Sequence, residues 1–474
     1  MHKYITLILL LMLPAVAMQA DSKKRRNHVA TPDTIPVPVQ SERLSREPLD
    51  LAAIDSLIED SVIEGFEDAR IARLSAGTYN SSTVAMSDTS TWRGRVQWQL
   101  DSLCHSGIFE TTQLGLYVRD LTDGTDLWTV NHRHRMRPAS CQKLVTAISA
   151  LHTLGGNYQF RTTLCTDGDI SADSVLHGNI YIIGGMDPVL AQGDVYQMVM
   201  ALQRAGIDSI AGRIYTDTGI REDKDLGWGW CWDDKWGPLR ALTVDGKDRF
   251  VDELRSDLQQ LGIRMLDWSH QQTRCPSNTH TIYVATHTID QVLQRMMKNS
   301  HNIYAESLFY QLAAKSGVRG AGHKQAATYI NQLIKSLGLT PSRYQIADGS
   351  GLSLYNYVTP ELLVRLLEYA WNTERIRTHL YPSLPIAGED GTLSKRMRGT
   401  AAQGNVHAKT GTVEGISSLS GYATATNGHV LAFSIINQSI IYTSTGKDFQ
   451  DKVCRVLCST PDPAMKIPDE EEEN

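Results

Sequence analysis

The longest uninterrupted apolar stretch in the chain is its start. Residues 5–13 are apolar apart from Thr6, preceded by Lys3 and followed by the small-residue run Ala15-Val16-Ala17. That order is the pattern of a cleavable secretory signal, with cleavage there or after Ala20. Residues 49–74 then place Leu51, Ile54, Leu57, Ile58, Val62, Ile63 and Phe66 at helical spacing, which predicts one amphipathic helix. Residues 75–91 are rich in Ser and Thr and predict no packed element. From Trp92 onward the pattern becomes that of a packed protein. Residues 113–119 alternate as a strand, Asp120-Leu-Thr-Asp-Gly reads as a turn and residues 126–130 as a second strand, together a hairpin. Arg137-Pro138-Ala139-Ser140 opens a helix through Leu144, Ala147, Ile148 and Leu151 that stops at Gly155-Gly156. Residues 166–285 show short β-like runs (179–183, 209–215, 281–285) between Gly- and Asp-marked turns. Helical patterns follow at 288–297 and 302–315. Residues 416–424 and 429–436 flank Asn427-Gly428, a strong hairpin signal.

Composition narrows the class. The 474 residues carry 46 Lys and Arg against 52 Asp and Glu, a formal net charge of −6, with 41% hydrophobic residues. No basic stripe points to nucleic acid. The leading apolar run is too short to span a bilayer comfortably, and no later stretch is long enough. These features predict a periplasmic or secreted protein with no transmembrane segment and with room for peripheral contact with a membrane. The seven cysteines are scattered and contain no Cys-x-x-Cys pair, which argues against a zinc site. An oxidising compartment would allow one or two bridges; spacing does not assign them.

Three short motifs carry chemistry. In Ser140-Cys141-Gln142-Lys143 the first and last residues share a helix face. A hydroxyl is a weak nucleophile and needs an adjacent base. A lysine becomes one only when burial or nearby positive charge lowers its pKa. Ser300-His301-Asn302 opens the next helical pattern, where Ser and Asn are also ordinary caps. Lys409-Thr410-Gly411 precedes the strand pair and offers a fixed charge, a hydroxyl and a site of close backbone approach. Each motif alone is common by chance. Their joint order is the set found in penicillin-binding proteins and serine β-lactamases.

On these motifs the chain resembles the class C penicillin-binding proteins, D-alanyl-D-alanine carboxypeptidases/endopeptidases similar to penicillin-binding protein 4. The resemblance spans residues 115–436 and includes Gly115-Leu-Tyr-Val-Arg-Asp-Leu, Ala305-Glu306, Asp348-Gly-Ser-Gly-Leu-Ser with Asn356, Leu384-Pro-Ile-Ala-Gly and Asp390-Gly-Thr-Leu. It implies an α/β (α+β) transpeptidase-like fold with an inserted, mainly β domain. The residues themselves read as a signal peptide at 1–20, a polar linker with a possible amphipathic helix at 21–91 and a disordered acidic tail at 461–474, and the resemblance adds a catalytic domain at 92–165 plus 286–460 with the insertion at 166–285. The implied reaction is acyl transfer from a peptidoglycan stem peptide to water through an ester on Ser140. Lys143 would be the base, with Ser300 and Asn302 completing the proton relay. Lys409 and Thr410 would hold the terminal carboxylate, beside Gly411. Backbone N–H groups of Ser140 and Thr412 would form the oxyanion hole. Asp217 would meet the amino end of the substrate's side chain. No metal or organic cofactor is implied, and β-lactams would be covalent inhibitors.

The chain departs from that pattern at Cys141, where relatives usually carry Asn, and at Leu354, where they often carry Arg. Two other readings of the same motifs are a β-lactamase and a wall-binding scaffold with a vestigial site. His132 and His134 lack a third metal ligand at usable spacing and read as a surface turn. Trp228, Trp230, Trp232 and Trp236 read as packing of the insertion, and Gly317-Val-Arg-Gly-Ala-Gly322 as a turn after a helix.

Overall fold

The computed structural model describes residues 88–234 and 236–464. The expected signal peptide, the 49–74 helix and the tail from 465 onward lie outside the described residues. In chain order, helix α1 (Trp92–Cys104) leads to strands β1 (Gln113–Asp120) and β2 (Thr125–Val130). A 3-10 turn (Ala139–Cys141) runs into α2 (Gln142–Leu154). Next come β3 (Gln159–Thr166), β4 (Asp169–Ile170), β5 (Val175–His177), β6 (Ile180–Ile183), α3 (Gln192–Arg204), β7 (Ser209–Ile210) and β8 (Ile214–Asp217). Helix α4 (Phe250–Gln260), β9 (Arg264–Met265), β10 (His270–Gln272) and β11 (His280–Thr288) complete that region. Helices α5 (Ile289–Lys298), α6 (Asn302–Ala314), α7 (His323–Ser336), α8 (Pro360–Asn372) and α9 (Glu374–Ser383) precede β12 (His407–Val413), β13 (Ile416–Thr424), β14 (Val430–Gln438) and α10 (Thr443–Ser459).

The principal sheet is antiparallel with strand order β12-β13-β14-β1-β2. Its middle strands are covered on both faces. Leu116 and Val118 of β1 face a core with Phe433, Leu419, α1 and α10, while Tyr117 between them faces a second, mostly helical core. This is the period-two alternation of a strand, with both faces apolar. The helical core gathers Leu144, Ile148 and Leu151 of α2, Leu308 and Leu312 of α6, and Leu363 and Leu367 of α8. Thr359 caps α8 by accepting from Leu362 N, with Pro360 at its first position.

A third core belongs to the strands and helices between β3 and β11. Their larger sheet has the order β10-β8-β6-β3-β11 and their smaller one β4-β5-β7-β9. This region was read as mainly β, yet it also carries α3 and α4. Both have legible apolar stripes: Val195, Met198, Val199 and Leu202 in the first, and Phe250, Leu254 and Leu258 in the second. Among the described residues, Cys141, Cys165, Cys231, Cys275, Cys454 and Cys458 are free thiols. Among the described residues no helix is long and apolar enough to cross a membrane.

Candidate active site

Ser140 does not begin a regular α-helix. It sits in the 3-10 turn ahead of α2, after Ala139 with φ of 46°. A left-handed backbone at a residue with a Cβ costs about 1–3 kcal/mol and persists only where its surroundings enforce it. Here the enforcement is visible. A Cβ on Gly351 (φ 83°) would collide with Ala139 O, so glycine is needed for that segment to lie against the turn. On the other side, Ser418 Oγ donates to Pro138 O at 2.6 Å and Cys141 Sγ donates to Lys409 O at 3.2 Å. Cys141 therefore ties the Ser140 turn to β12 through its thiol. The motif Lys409-Thr410-Gly411 was placed just before the strand pair; it lies within β12, which is the edge strand of the sheet. An edge strand leaves alternate backbone N–H and C=O groups without a strand partner.

Lys143 is fully buried, and its Nζ reaches Ser140 Oγ at 2.9 Å, Asn302 Oδ1 at 2.7 Å and the Ser350 carbonyl oxygen at 2.8 Å. Two of these three atoms can only accept. A neutral amine has two N–H bonds, which these oxygens take, so its lone pair is left for the Ser140 hydroxyl. Burial lowers the Lys143 pKa well below the usual lysine value, and the positive charge of Lys409 adds to the effect. Glu306 and Asp348 oppose it, but Glu306 is itself pushed up to about 8, chiefly by burial and then by Asp348. Glu306 accepts from Gly349 N and Ser350 N, so it also fixes the peptide whose carbonyl holds Lys143.

Ser300 has φ of 58°, a second strained residue at this site. Its Oγ accepts from Lys409 Nζ at 2.8 Å, and Lys409 also donates to Thr410 O. Thr410 Oγ1 donates to Thr392 Oγ1 at 2.8 Å. The structure thus brings Ser140, Lys143 and Asn302 into one hydrogen-bonded group, and Ser300, Lys409 and Thr410 into another. Gly411 packs against the Ser140 turn and Thr412 is exposed on the same strand.

The chain matches the D-Ala-D-Ala carboxypeptidase 3 (S13) family over residues 96–246 and 238–459. It belongs to this family. D-alanyl-D-alanine carboxypeptidase DacB of Haemophilus influenzae is 26% identical over 430 residues, covering 73% of this chain and 88% of that protein. The D-alanyl-D-alanine carboxypeptidase of Actinomadura sp. (strain R39) is 27% identical over 457 residues, with coverage of 76% and 84%. The crystal structure of penicillin binding protein 4 from Haemophilus influenzae superposes with a TM-score of 0.67 at 24% identity, over 76% of this chain and 98% of that one. The same Haemophilus protein has also been solved complexed with a β-lactam; that structure gives a TM-score of 0.63 at 24% identity over 75% of this chain and 98% of that one.

Within this S13 frame, Asp217 stands apart from the two hydrogen-bonded groups. It ends β8, where its carboxylate accepts from Gly219 N and Cys275 N and pairs with Arg319 Nη1 at 2.7 Å. Burial alone would raise its pKa; those N–H groups and Arg319 lower it instead. Arg319 was not singled out from sequence, since it lies in the Gly-rich segment read as a turn. Thr392 and Glu306 stood in quoted motifs without a role. Ser350 contributes a backbone carbonyl, which no residue type advertises. Of the four tryptophans, Trp230 is buried and donates to Asp348 Oδ2 at 2.9 Å, while Trp228 stacks on His323.

Lys409 is also fully buried, and burial lowers it to about 8. A pH dependence follows, with opposite demands on two lysines. A Lys143 acting as a base would have to be neutral, so activity would fall as pH drops through its lowered value. A Lys409 attracting a carboxylate would have to be charged, so kcat/KM would fall as pH rises through about 8. Because a bound carboxylate favours the ammonium, the alkaline limb of kcat should lie above that of kcat/KM. Initial rates on a peptide ending in D-Ala-D-Ala, measured across pH, check both limbs.

Proposed function

We propose that this chain is a serine-type D-alanyl-D-alanine carboxypeptidase and endopeptidase acting on peptidoglycan stem peptides, outside the cytoplasm. The observation that carries this reading is the buried Lys143 amine, with two acceptor-only partners and the Ser140 hydroxyl as its third neighbour. Lys143 takes the hydroxyl proton while Ser140 Oγ attacks the carbonyl of the penultimate D-Ala. Negative charge gathers on the carbonyl oxygen, facing backbone N–H groups of Ser140 and Thr412. As the tetrahedral intermediate collapses, the terminal D-Ala amine leaves with the proton returned from Lys143 by way of the Ser300 hydroxyl, while Asn302 Oδ1 holds the Lys143 amine in place. Water, deprotonated by the same amine, then hydrolyses the ester. Lys409 and Thr410 hold the terminal carboxylate, and Gly411 lets the peptide backbone lie close. A cross-link is cleaved by the same steps with a larger amine as leaving group. Asp217 keeps its proposed place near the amino end of the stem side chain, where it acts together with its partner Arg319.

The N-terminal signal pattern supports export to the periplasm or the medium. β-Lactams fit the same steps as substrate mimics whose ring-opened acyl group stays on Ser140. The test is mass spectrometry of the penicillin-treated protein. A stable adduct on the peptide containing Ser140 is expected. Rapid penicillin turnover without an adduct would indicate a β-lactamase instead, and no reaction would leave the site without acylating power.

A further inference from the structure

The mechanism leaves one charged cleft beside the site unused. It is open, about 470 Å³ in volume, and lined by Gln291, Gln294, Arg295, Lys298, Asn299 and His301. It therefore runs along the length of α5 to the residues on either side of Ser300. No carboxylate among the described residues lines it. Lys298 is paired with Asp390 at 2.6 Å and donates to the Leu384 carbonyl. Arg295 is exposed and has no acidic partner among the described residues; its guanidinium lies 5.4 Å from the centre of the Tyr304 ring. His301 is wedged between Tyr304 and Trp236, and its Nδ1 is buried with no hydrogen-bond partner. An exposed guanidinium without an acidic partner and the side-chain amides beside it together suit a peptide that carries its own carboxylate.

The position of the cleft says which peptide. Thr410 bonds Thr392, and Thr392 follows Gly391, where an added Cβ would lie 2.6 Å from Lys298 O. The end of α5 is thus packed against the group that would hold the carboxylate of the departing residue. A cut that releases only D-Ala fills nothing beyond that group. A cut through a cross-link releases a second stem peptide, which continues past it and carries further carboxylates. We infer that the Arg295 cleft receives this second stem peptide, and so favours cross-link cleavage over D-Ala release. This inference rests on the proposed hydrolase activity.

The test compares two substrates on the purified protein: a monomeric stem pentapeptide and a D-Ala cross-linked muropeptide dimer, each followed by chromatography of products. In Arg295→Glu the ratio of cross-link cleavage to D-Ala release is expected to fall about tenfold or more, the worth of one charge-assisted hydrogen bond. Gln294→Glu, which adds a carboxylate on the same exposed wall, should lower the ratio in the same sense and decides the matter if the first variant does not fold. An unchanged ratio in the folded variants, or a wild type that releases D-Ala but cleaves no dimer, overturns the assignment of the cleft. A wild type that attacks neither substrate and takes no penicillin adduct refutes the hydrolase reading itself.

Discussion

Replacing Lys143 by methionine is expected to slow acylation of Ser140 by penicillin by about 10²- to 10⁴-fold, the usual contribution of a positioned general base. Among the described residues the site contains no substitute. Lys409, the other buried lysine, is hydrogen-bonded to Ser300 and to its neighbour's carbonyl. Methionine approximates the lysine stem in volume, so the packing of α2 should survive. Loss of the amine leaves Asn302 Oδ1 and the Ser350 carbonyl without their donor, at about 1–3 kcal/mol for each buried group. Removing a desolvated amine offsets part of that. The expected protein is therefore folded, somewhat less stable and very slow to acylate. Time-resolved mass spectrometry of the adduct gives the rate, and thermal unfolding gives the stability. An acylation rate close to that of the wild type would place the base elsewhere.

The parts of this result that were readable in the sequence share a physical reason. Ser140 and Lys143 are three residues apart, and Asn427-Gly428 defines its own turn. Such relations are local, so backbone geometry makes them legible. Strands β1, β2, β13 and β14 of the principal sheet were legible because their runs of apolar residues are bounded by turn residues. The rest of the site depends on chain segments far apart. Asn302 reaches Lys143 across 159 positions, and the Ser350 carbonyl across 207. The roles of Glu306 and Asp348 arise from burial, which a single sequence does not display. Motif order supplied what spacing could not, because the three motifs had to converge for their joint occurrence to mean anything.

The extent of β12 was not legible, and its motif was placed only at a strand start, because polar His407, Lys409 and Thr410 break the apolar alternation. They do so because the strand lies at the sheet edge and turns part of itself to the cleft. Helices α3 and α4 were missed although their stripes obey the helical period. The short strands and turns around them dominated the reading of residues 166–285.

Gly411→Ala is expected to lower kcat/KM by about 100-fold, the scale of loss from a displacement near 1 Å in a reacting geometry. The added Cβ would lie 2.7 Å from Pro138 O and 3.0 Å from Cys141 N, and would also meet Ser418 Oγ. A hydroxyl can rotate away. The other two atoms belong to the backbone of the nucleophile's turn, which is fixed by Gly351 behind it. The strand must therefore move, and it carries Lys409 and Thr410 with it while Lys143 stays with α2. Catalytic base and carboxylate site then fall out of register without loss of either group. Pairing of β12 with β13 along His407–Val413 should keep the fold, so the melting temperature should change far less than the activity. Gly415→Ala separates this effect from general strain in the same hairpin. Gly415 has φ of 75° but nothing within 4 Å of an added Cβ, so its cost is conformational and should appear in stability. Comparable loss of activity in both variants would mean that the spacing between β12 and the Ser140 turn does not govern the reaction.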